Sequence, residues 1–331
     1  MGICVQRGGP LTTVQDKGRL GYQNLGFSAS GAMDRRALRL ANLLLDNEEN
    51  DAVLEVTMVG PKFTFESPNC FVLTGADLKA SLNGQVLETN RVYAAGAGDV
   101  VDFPQSFPSR GARAYIGFAG GLDLPPLMGS RSTYLKGKMG GLEGRGLKTG
   151  DRLEFLAPRP QLPNLEKRRL PEDFETVYGG RQVKIRVILG PQEDSFTPEG
   201  LKLFLNQPYR VTPNSDRMGS RLDGPVIPHK GRADIISDGI AFGAIQVPSE
   251  GKPIILLADR QSTGGYTKIA NVITVDLPKV AQRMVGDEIR FEAVSVEQAQ
   301  QWLRQEEEAL EKAAKAWQTR PSFWKRLLGA R

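Results

Sequence analysis

The run Ile254-Ile255-Leu256-Leu257-Ala258 is bounded upstream by the turn formers of Pro248-Ser249-Glu250-Gly251-Lys252-Pro253. Downstream it meets an abruptly polar stretch, Asp259-Arg260-Gln261-Ser262-Thr263-Gly264-Gly265-Tyr266. A short, continuous apolar run between turns suits a strand buried on both faces, although periodicity alone leaves a helical segment open. Its far end delivers an acid, a guanidinium, an amide, two hydroxyls and a glycine pair to one rim. Binding sites concentrate at such rims.

The pattern occurs twice. Leu54-Glu55-Val56 followed by Gly60-Pro61 parallels Ile245-Gln246-Val247 followed by Gly251-Lys252-Pro253, and Phe71 to Asp77 parallels Ile255 to Asp259. Ser30-Gly31-Ala32-Met33-Asp34-Arg35 answers Ser215-Asp216-Arg217-Met218-Gly219-Ser220, and Gly98-Asp99 ahead of a strand answers Gly286-Asp287. Four elements in the same order read as two related halves, though Gly-Asp before a strand is also an ordinary turn.

A chain of 331 residues exceeds the usual span of one core, so two domains are expected. They are placed at 1–157 and 183–294, with a proline-rich, charged linker at 158–182 and a helical tail at 295–331. The net charge of +5 is small and dispersed, and no nucleic-acid motif accompanies it. Cys4 and Cys70 are the only cysteines, which excludes a disulfide framework or thiolate metal site and fits a reducing cytoplasm. The expectation is a soluble chain without leader or membrane span.

Along the chain, Gln15, Asp16 and Arg19 project from a glycine-bounded turn, either pinning a loop or serving a site. Ala37, Leu40, Ala41, Leu44 and Leu45 share one helical face, with Asp34 as N-cap and Asn47 as stop. Ser30 and Gly31 just ahead of that helix can cradle an anion. Asn83-Gly84 is a hairpin turn between short strands. Gly129-Ser130-Arg131-Ser132 gathers hydroxyls around an arginine suited to carboxylate or phosphate oxygens. Thr197 caps a short helix with Pro198 at its first position, and 297–319 reads as an exposed helix followed by a basic amphipathic end at Phe323–Leu328. Many short strands with few helices predict a mainly β, α+β chain built on barrel-like sheets rather than a doubly wound sheet.

His229 is the single histidine, which argues against a histidine-based triad and the usual zinc sites. Gly140 to Thr149 has Leu147 where a phosphate loop needs lysine, so it is taken as a plain loop. Carboxylate, guanidinium, amide and hydroxyl chemistry remains. Catalytic candidates are Asp16, Glu55, Gln246, Asp259 and Gln261; Ser30, Gly31, Arg131, Ser132, Ser215, Arg217, Arg260, Thr263 and Gly264 are substrate- or phosphate-binding candidates, with no residue assigned to metal.

Thr12-Thr13-Val14-Gln15-Asp16, Ser30-Gly31-Ala32-Met33-Asp34, Gly129-Ser130-Arg131-Ser132, Ser215-Asp216-Arg217-Met218-Gly219, Ser237-Asp238-Gly239, Gly243 to Pro248 and Ala258 to Tyr266 together resemble the family of 5-oxoprolinase C subunits. That family is also called allophanate hydrolase subunit 2, or KipA-like, and is similar to part of the carboxyltransferase region of urea carboxylase. The resemblance spans about residues 3 to 293; Lys17, Leu20 and Arg35 depart from the pattern. It implies two cyclophilin-like β-barrel domains from an internal duplication, in a cytoplasmic complex with the A and the KipI-like B subunits of 5-oxoprolinase. That complex opens 5-oxoproline to glutamate with ATP and Mg2+. On that reading Arg131, Arg217 or Arg260 steadies phosphate or the substrate carboxylate, and Asp16, Glu55 or Asp259 positions water or metal. Two alternatives are a non-enzymatic antagonist of a kinase inhibitor and a biotin-dependent carboxyltransferase subunit. Lys138 lies in Gly137-Lys138-Met139 rather than a Met-Lys-Met biotinylation sequence, so no covalent biotin is expected.

Overall fold

The computed structural model describes residues 1–104, 110–170, 178 and 180–317, and the chain divides into two compact units. One comprises Met1–Gly18, Asp34–Val177 and Glu308–Arg331, the other Arg19–Met33 and Tyr178–Glu307. Arg19–Met33, which the sequence reading places within 1–157, thus clusters with the second half. The reason is local to that unit: Met33 is buried in its core, and the Arg217 guanidinium donates to the Gly31 carbonyl at 2.6 Å.

The first unit has two antiparallel sheets. Strands Arg152–Glu154, Gly2–Arg7, Lys62–Phe65, Val100–Asp102, Ser81–Leu82 and Gln85–Val86 form one; Thr12–Gln15, Val53–Thr57, Arg113–Phe118, Asn69–Gly75 and Val92–Ala95 form the other. Alternation along Lys62–Phe65 turns Phe63 and Phe65 inward. There they meet Phe71, Phe118 and Phe155 with ring centroids 5.3–6.1 Å apart. Each such ring stabilises the fold by about 1.5–3 kcal/mol through burial. Strands Asn69–Gly75 and Arg113–Phe118 are buried throughout most of their length because the helix Arg35–Leu44 covers their other face. Gly117 permits that approach, since a Cβ there would lie 2.9 Å from the Leu45 side chain and 3.2 Å from Ala41. The helix starts where expected, with the Asp34 side chain accepting from Ala37 N at 2.9 Å.

The second unit is a closed barrel, in the order Gln182–Leu189, Lys268–Val272, Ala244–Gln246, Ile254–Leu256, Gly219–Asp223, Tyr209–Val211 and Glu288–Ala293, the last running parallel to the first. Ile185, Val187, Ile245, Ile255, Ile269, Ile289 and Phe291 belong to its buried core. Helix Pro198–Asn206, capped by Thr197, stacks Phe204 on Phe291 at 4.4 Å. A separate two-stranded ribbon pairs Asp234–Gly239 with Thr263–Tyr266. The mainly β fold with few helices agrees with the sequence reading, and among the described residues no helix is long and apolar enough to cross a membrane.

Four expectations look different in the structure. The Gly-Asp correspondence is one turn used three times: Asp99, Asp151 and Asp287 each accept from the backbone N–H three residues earlier, after a left-handed glycine. Ser30–Arg35 leads into a helix, whereas Ser215–Ser220 leads into a strand, so that parallel is one of sequence alone. The Pro-rich stretch is anchored between 158 and 170. Arg168, fully buried, donates to the carbonyls of Pro163, Leu44 and Trp317 at 2.9, 2.8 and 3.1 Å, and composition does not register carbonyls that satisfy a buried guanidinium. The long helix is Val296–Trp317; the amphipathic end at Phe323–Leu328 and part of 158–182 lie outside the described residues.

Asp276 is the buried carboxylate that pins helix Leu277–Ala281 to the barrel. It accepts from Arg186 through N, Nε and a terminal nitrogen at 2.8, 2.9 and 2.6 Å, and pairs with Lys279 at 2.8 Å. Burial pushes its pKa up, but the hydrogen bonds from Arg186 and Lys279 outweigh that and hold it below the usual carboxylate value. A depressed folded-state pKa contributes stability that is fully present above the unfolded value, about 3.9, and is lost as pH falls through the folded one. The stability difference between wild type and Asp276→Asn is therefore expected to be constant above about pH 5 and to narrow progressively below about pH 4. Urea unfolding at a series of pH values checks it; a difference that widens in acid contradicts the assignment.

Candidate functional site

In the first unit, the strand Thr12–Gln15 ends at Asp16, which is fully buried. Its carboxylate accepts from Ser130 Oγ at 2.7 Å, Ser132 Oγ at 2.5 Å, Arg131 N at 2.6 Å and Gly18 N at 2.8 Å. Sequence reasoning named Asp16, Arg131 and Ser132, and the structure brings them together. Four donors leave the carboxylate little capacity to bind anything further, so it organises the Ser130–Ser132 loop. The Arg131 Nε donates to Leu124 O at 2.8 Å.

Glu55 is also buried and faces Tyr115 across the ladder. The Tyr115 hydroxyl donates to Glu55 Oε2 at 2.8 Å and accepts from Asp34 N at 2.8 Å. Burial, with the Glu55 and Asp34 carboxylates beside it, holds the phenol well above its usual pKa. Tyr115 therefore keeps its proton and remains a donor to Glu55.

In the second unit, Ser30, Gly31, Arg217 and Asp259 converge. Arg217 and Asp259, both nearly fully buried, form a two-pronged pair with Nε–Oδ2 at 3.0 Å and a terminal nitrogen to Oδ1 at 3.1 Å. With its bond to Gly31 O, Arg217 holds a segment whose Ser30 has φ +51 and Gly31 φ +92. A serine in the left-handed region is strained by roughly 1–2 kcal/mol. The Ser30 hydroxyl is fully buried and has no hydrogen-bond partner among the described residues, an unspent donor at a strained position. Asp259 is thus engaged by arginine, and the rim after Ala258 is only partly open: Arg260 donates to Ile240 O at 2.9 Å while Gln261 and Thr263 are exposed. Ser215 is elsewhere, closing its own loop by accepting from Arg221 N at 3.0 Å.

A third cluster lies on the outer face of the barrel. A bulge between Ile245 and Gln246 leaves Gln246 opposite Lys268, so the two share a face while Ile245 and Ile269 join the core. Gln246 Nε2 reaches Tyr266 O at 3.5 Å, the long end of the hydrogen-bond range. Lys268 Nζ pairs with Asp238 of the ribbon at 2.9 Å. Gly264 brings the ribbon down onto this face, because a Cβ there would sit 2.8 Å from Gln246 Nε2 and 2.6 Å from Ile240. Ile240, Ala244 and Leu256, with Ile254 packed against them, form an apolar patch. Sequence reasoning singled out Gln246, Thr263 and Gly264 but missed Lys268, whose only signal was a lone cation directly ahead of the apolar Ile269-Ala270. His229 is a structural group, its Nε2 3.1 Å from both Val247 O and Thr267 Oγ1 and its ring 4.6 Å from that of Phe196.

The second unit is thus a closed β-barrel whose outer face carries an amide and an ammonium beside a two-stranded ribbon that supplies a carboxylate. The chain belongs to the family described as carboxyltransferase domain, subdomain A and B, which matches residues 25–293. It is similar to the 5-oxoprolinase C subunit of Escherichia coli K12, with 38% identity over 90% of this chain and 93% of that one. It is also similar to the 5-oxoprolinase C subunit of Haemophilus influenzae, with 36% identity over 89% of this chain and 92% of that protein. The crystal structure of Kluyveromyces lactis urea carboxylase superposes with a TM-score of 0.88 at 31% identity, covering 97% of this chain and 30% of that chain.

Proposed function

We propose that this chain is the substrate-holding subunit of a cytoplasmic, ATP-dependent 5-oxoprolinase that opens 5-oxo-L-proline to L-glutamate. The carrying observation is the 38% identity over nearly the whole of both chains with a protein of that name. The geometry supports a substrate-holding role: the outer barrel face offers an apolar patch, an amide and an ammonium, the complement of a ring bearing a lactam and a carboxylate.

The loop 140–149 does not fit a nucleotide phosphate. Its Arg145 is already clamped to Glu143 and Asp151, at 2.8 and 2.7 Å. Among the described residues no group of three or more His, Cys, Asp or Glu side chains is placed to hold a metal ion. On this reading ATP and its Mg2+ are bound by, or shared with, a partner, either the A or the KipI-like B subunit. This chain's part is to bind and orient the lactam and shield it from bulk water.

Mixing the purified chain with the A and B subunits is expected to give ATP-dependent glutamate release from 5-oxoproline, and omitting this chain is expected to abolish it. Stoichiometric capture of the B subunit with no turnover, even when the A subunit is present, would instead favour a regulator. The likeness to urea carboxylase supports one second reading, a carboxyltransferase subunit served by biotin on another protein. Turnover that requires bicarbonate or biotin would select it.

A further inference from the structure

Lys268 is out of place by the ordinary rules of burial. Its side chain is 7% exposed on a barrel strand, yet its partner Asp238 is 58% exposed on the ribbon. A buried ammonium is costly unless paired, and here the pairing group stands mostly in water, where another carboxylate arriving from solvent can take its place. The surroundings favour such an exchange. Asp238 belongs to a two-stranded ribbon with an irregular register between Asp234 and Asp238, and that ribbon exposes Ile236 at 94%. Two-stranded ribbons are marginally stable alone.

The groups beside the ammonium define what the arriving molecule must be. Gln246 shares the face and its Nε2 is engaged only at 3.5 Å, leaving a donor with an acceptor oxygen on the same amide. Ile240, Ala244 and Leu256 supply an apolar patch. We propose that Lys268 is the anchor for the substrate carboxylate, that Asp238 occupies its place in the free protein, and that Gln246 pairs with the amide of the same ligand. The ligand class is a small monocarboxylate carrying an amide on a short apolar frame. Its identity as 5-oxoproline rests on the 5-oxoprolinase reading, whereas the carboxylate anchor rests on the geometry alone. Binding displaces Asp238 from Lys268 and shifts the ribbon.

The test compares 5-oxoproline with its uncharged carboxamide, by titration calorimetry on the full chain and on the complex with its partner subunits. Wild type is expected to prefer the acid by about 10–100-fold, the range of a charge-assisted hydrogen bond. Lys268→Met is expected to erase that preference, Lys268→Arg to keep most of it, and Asp238→Asn to tighten binding of the acid by removing the competing carboxylate. Circular dichroism on each variant confirms that the barrel is intact. An equal preference in wild type and folded Lys268→Met, or no binding of either compound, overturns the anchor. A Lys268-dependent preference without any glutamate release in the full complex keeps the anchor and overturns the 5-oxoprolinase reading instead.

Discussion

Asp259→Ala is expected to destabilise the second unit by about 3–5 kcal/mol, because it removes one partner of a buried, two-bonded ion pair. Both partners are 4% exposed and meet through two bonds of 3.0 and 3.1 Å. Arg217 also donates to Gly31 O at 2.6 Å, a neutral acceptor that does not replace the Asp259 carboxylate. Arg217→Met leaves the carboxylate alone and is expected to cost a similar amount. The double variant Arg217→Met/Asp259→Leu, which removes both charges, is expected to cost far less than the sum of the single variants. Urea midpoints at unchanged slope give the energies. Hydrogen exchange at 28–33 gives a second readout for Arg217→Met, which removes the guanidinium that donates to Gly31 O. Additive single-variant losses with unchanged exchange would show that the pair is not coupled to that segment.

The next largest effect is expected at Asp16. Asp16→Ala abandons two backbone amides and two hydroxyls inside the first unit, with an expected loss of about 3 kcal/mol from several charge-assisted hydrogen bonds. Asp16→Asn keeps the shape but turns an NH2 toward groups that are themselves donors, so it is expected to recover little. Ser130→Ala and Ser132→Ala each remove one partner and are expected to cost about 1 kcal/mol. Thermal unfolding ranks the series, and proteolysis near Leu127–Thr133 is expected to accelerate for both Asp16 variants. A stable Asp16→Ala chain that has lost substrate binding would reverse the structural assignment and make Asp16 a ligand-contacting residue.

What sequence reasoning recovered follows the range of the interactions involved. Asp34 as N-cap, Thr197 and Pro198 at a helix start, and the Asn83-Gly84 turn with φ +49 and +83 all depend on atoms a few residues apart. The strand Ile254–Leu256, buried at Ile255 and Leu256, and the mainly β fold follow from apolar patterning. The candidate residues were chosen by type, and several do meet: Asp16 with Ser132 and Arg131, Arg217 with Asp259 and Gly31. Their chemical state was not visible, since a carboxylate reads the same whether four donors saturate it or none does.

By itself the amino-acid sequence determined strand and helix segments, caps, turns and which side chains are capable of acid, amide or cation chemistry, because those depend on local stereochemistry and composition. Only the tertiary structure decided that Arg19–Met33 clusters with the second half, that Asp16 and Asp259 are already committed, and that Lys268 stands opposite Gln246 beneath the ribbon. Those outcomes depend on ladder register and on a one-residue bulge between Ile245 and Gln246. In a β structure, slipping the pairing by one position moves every side chain to the other face.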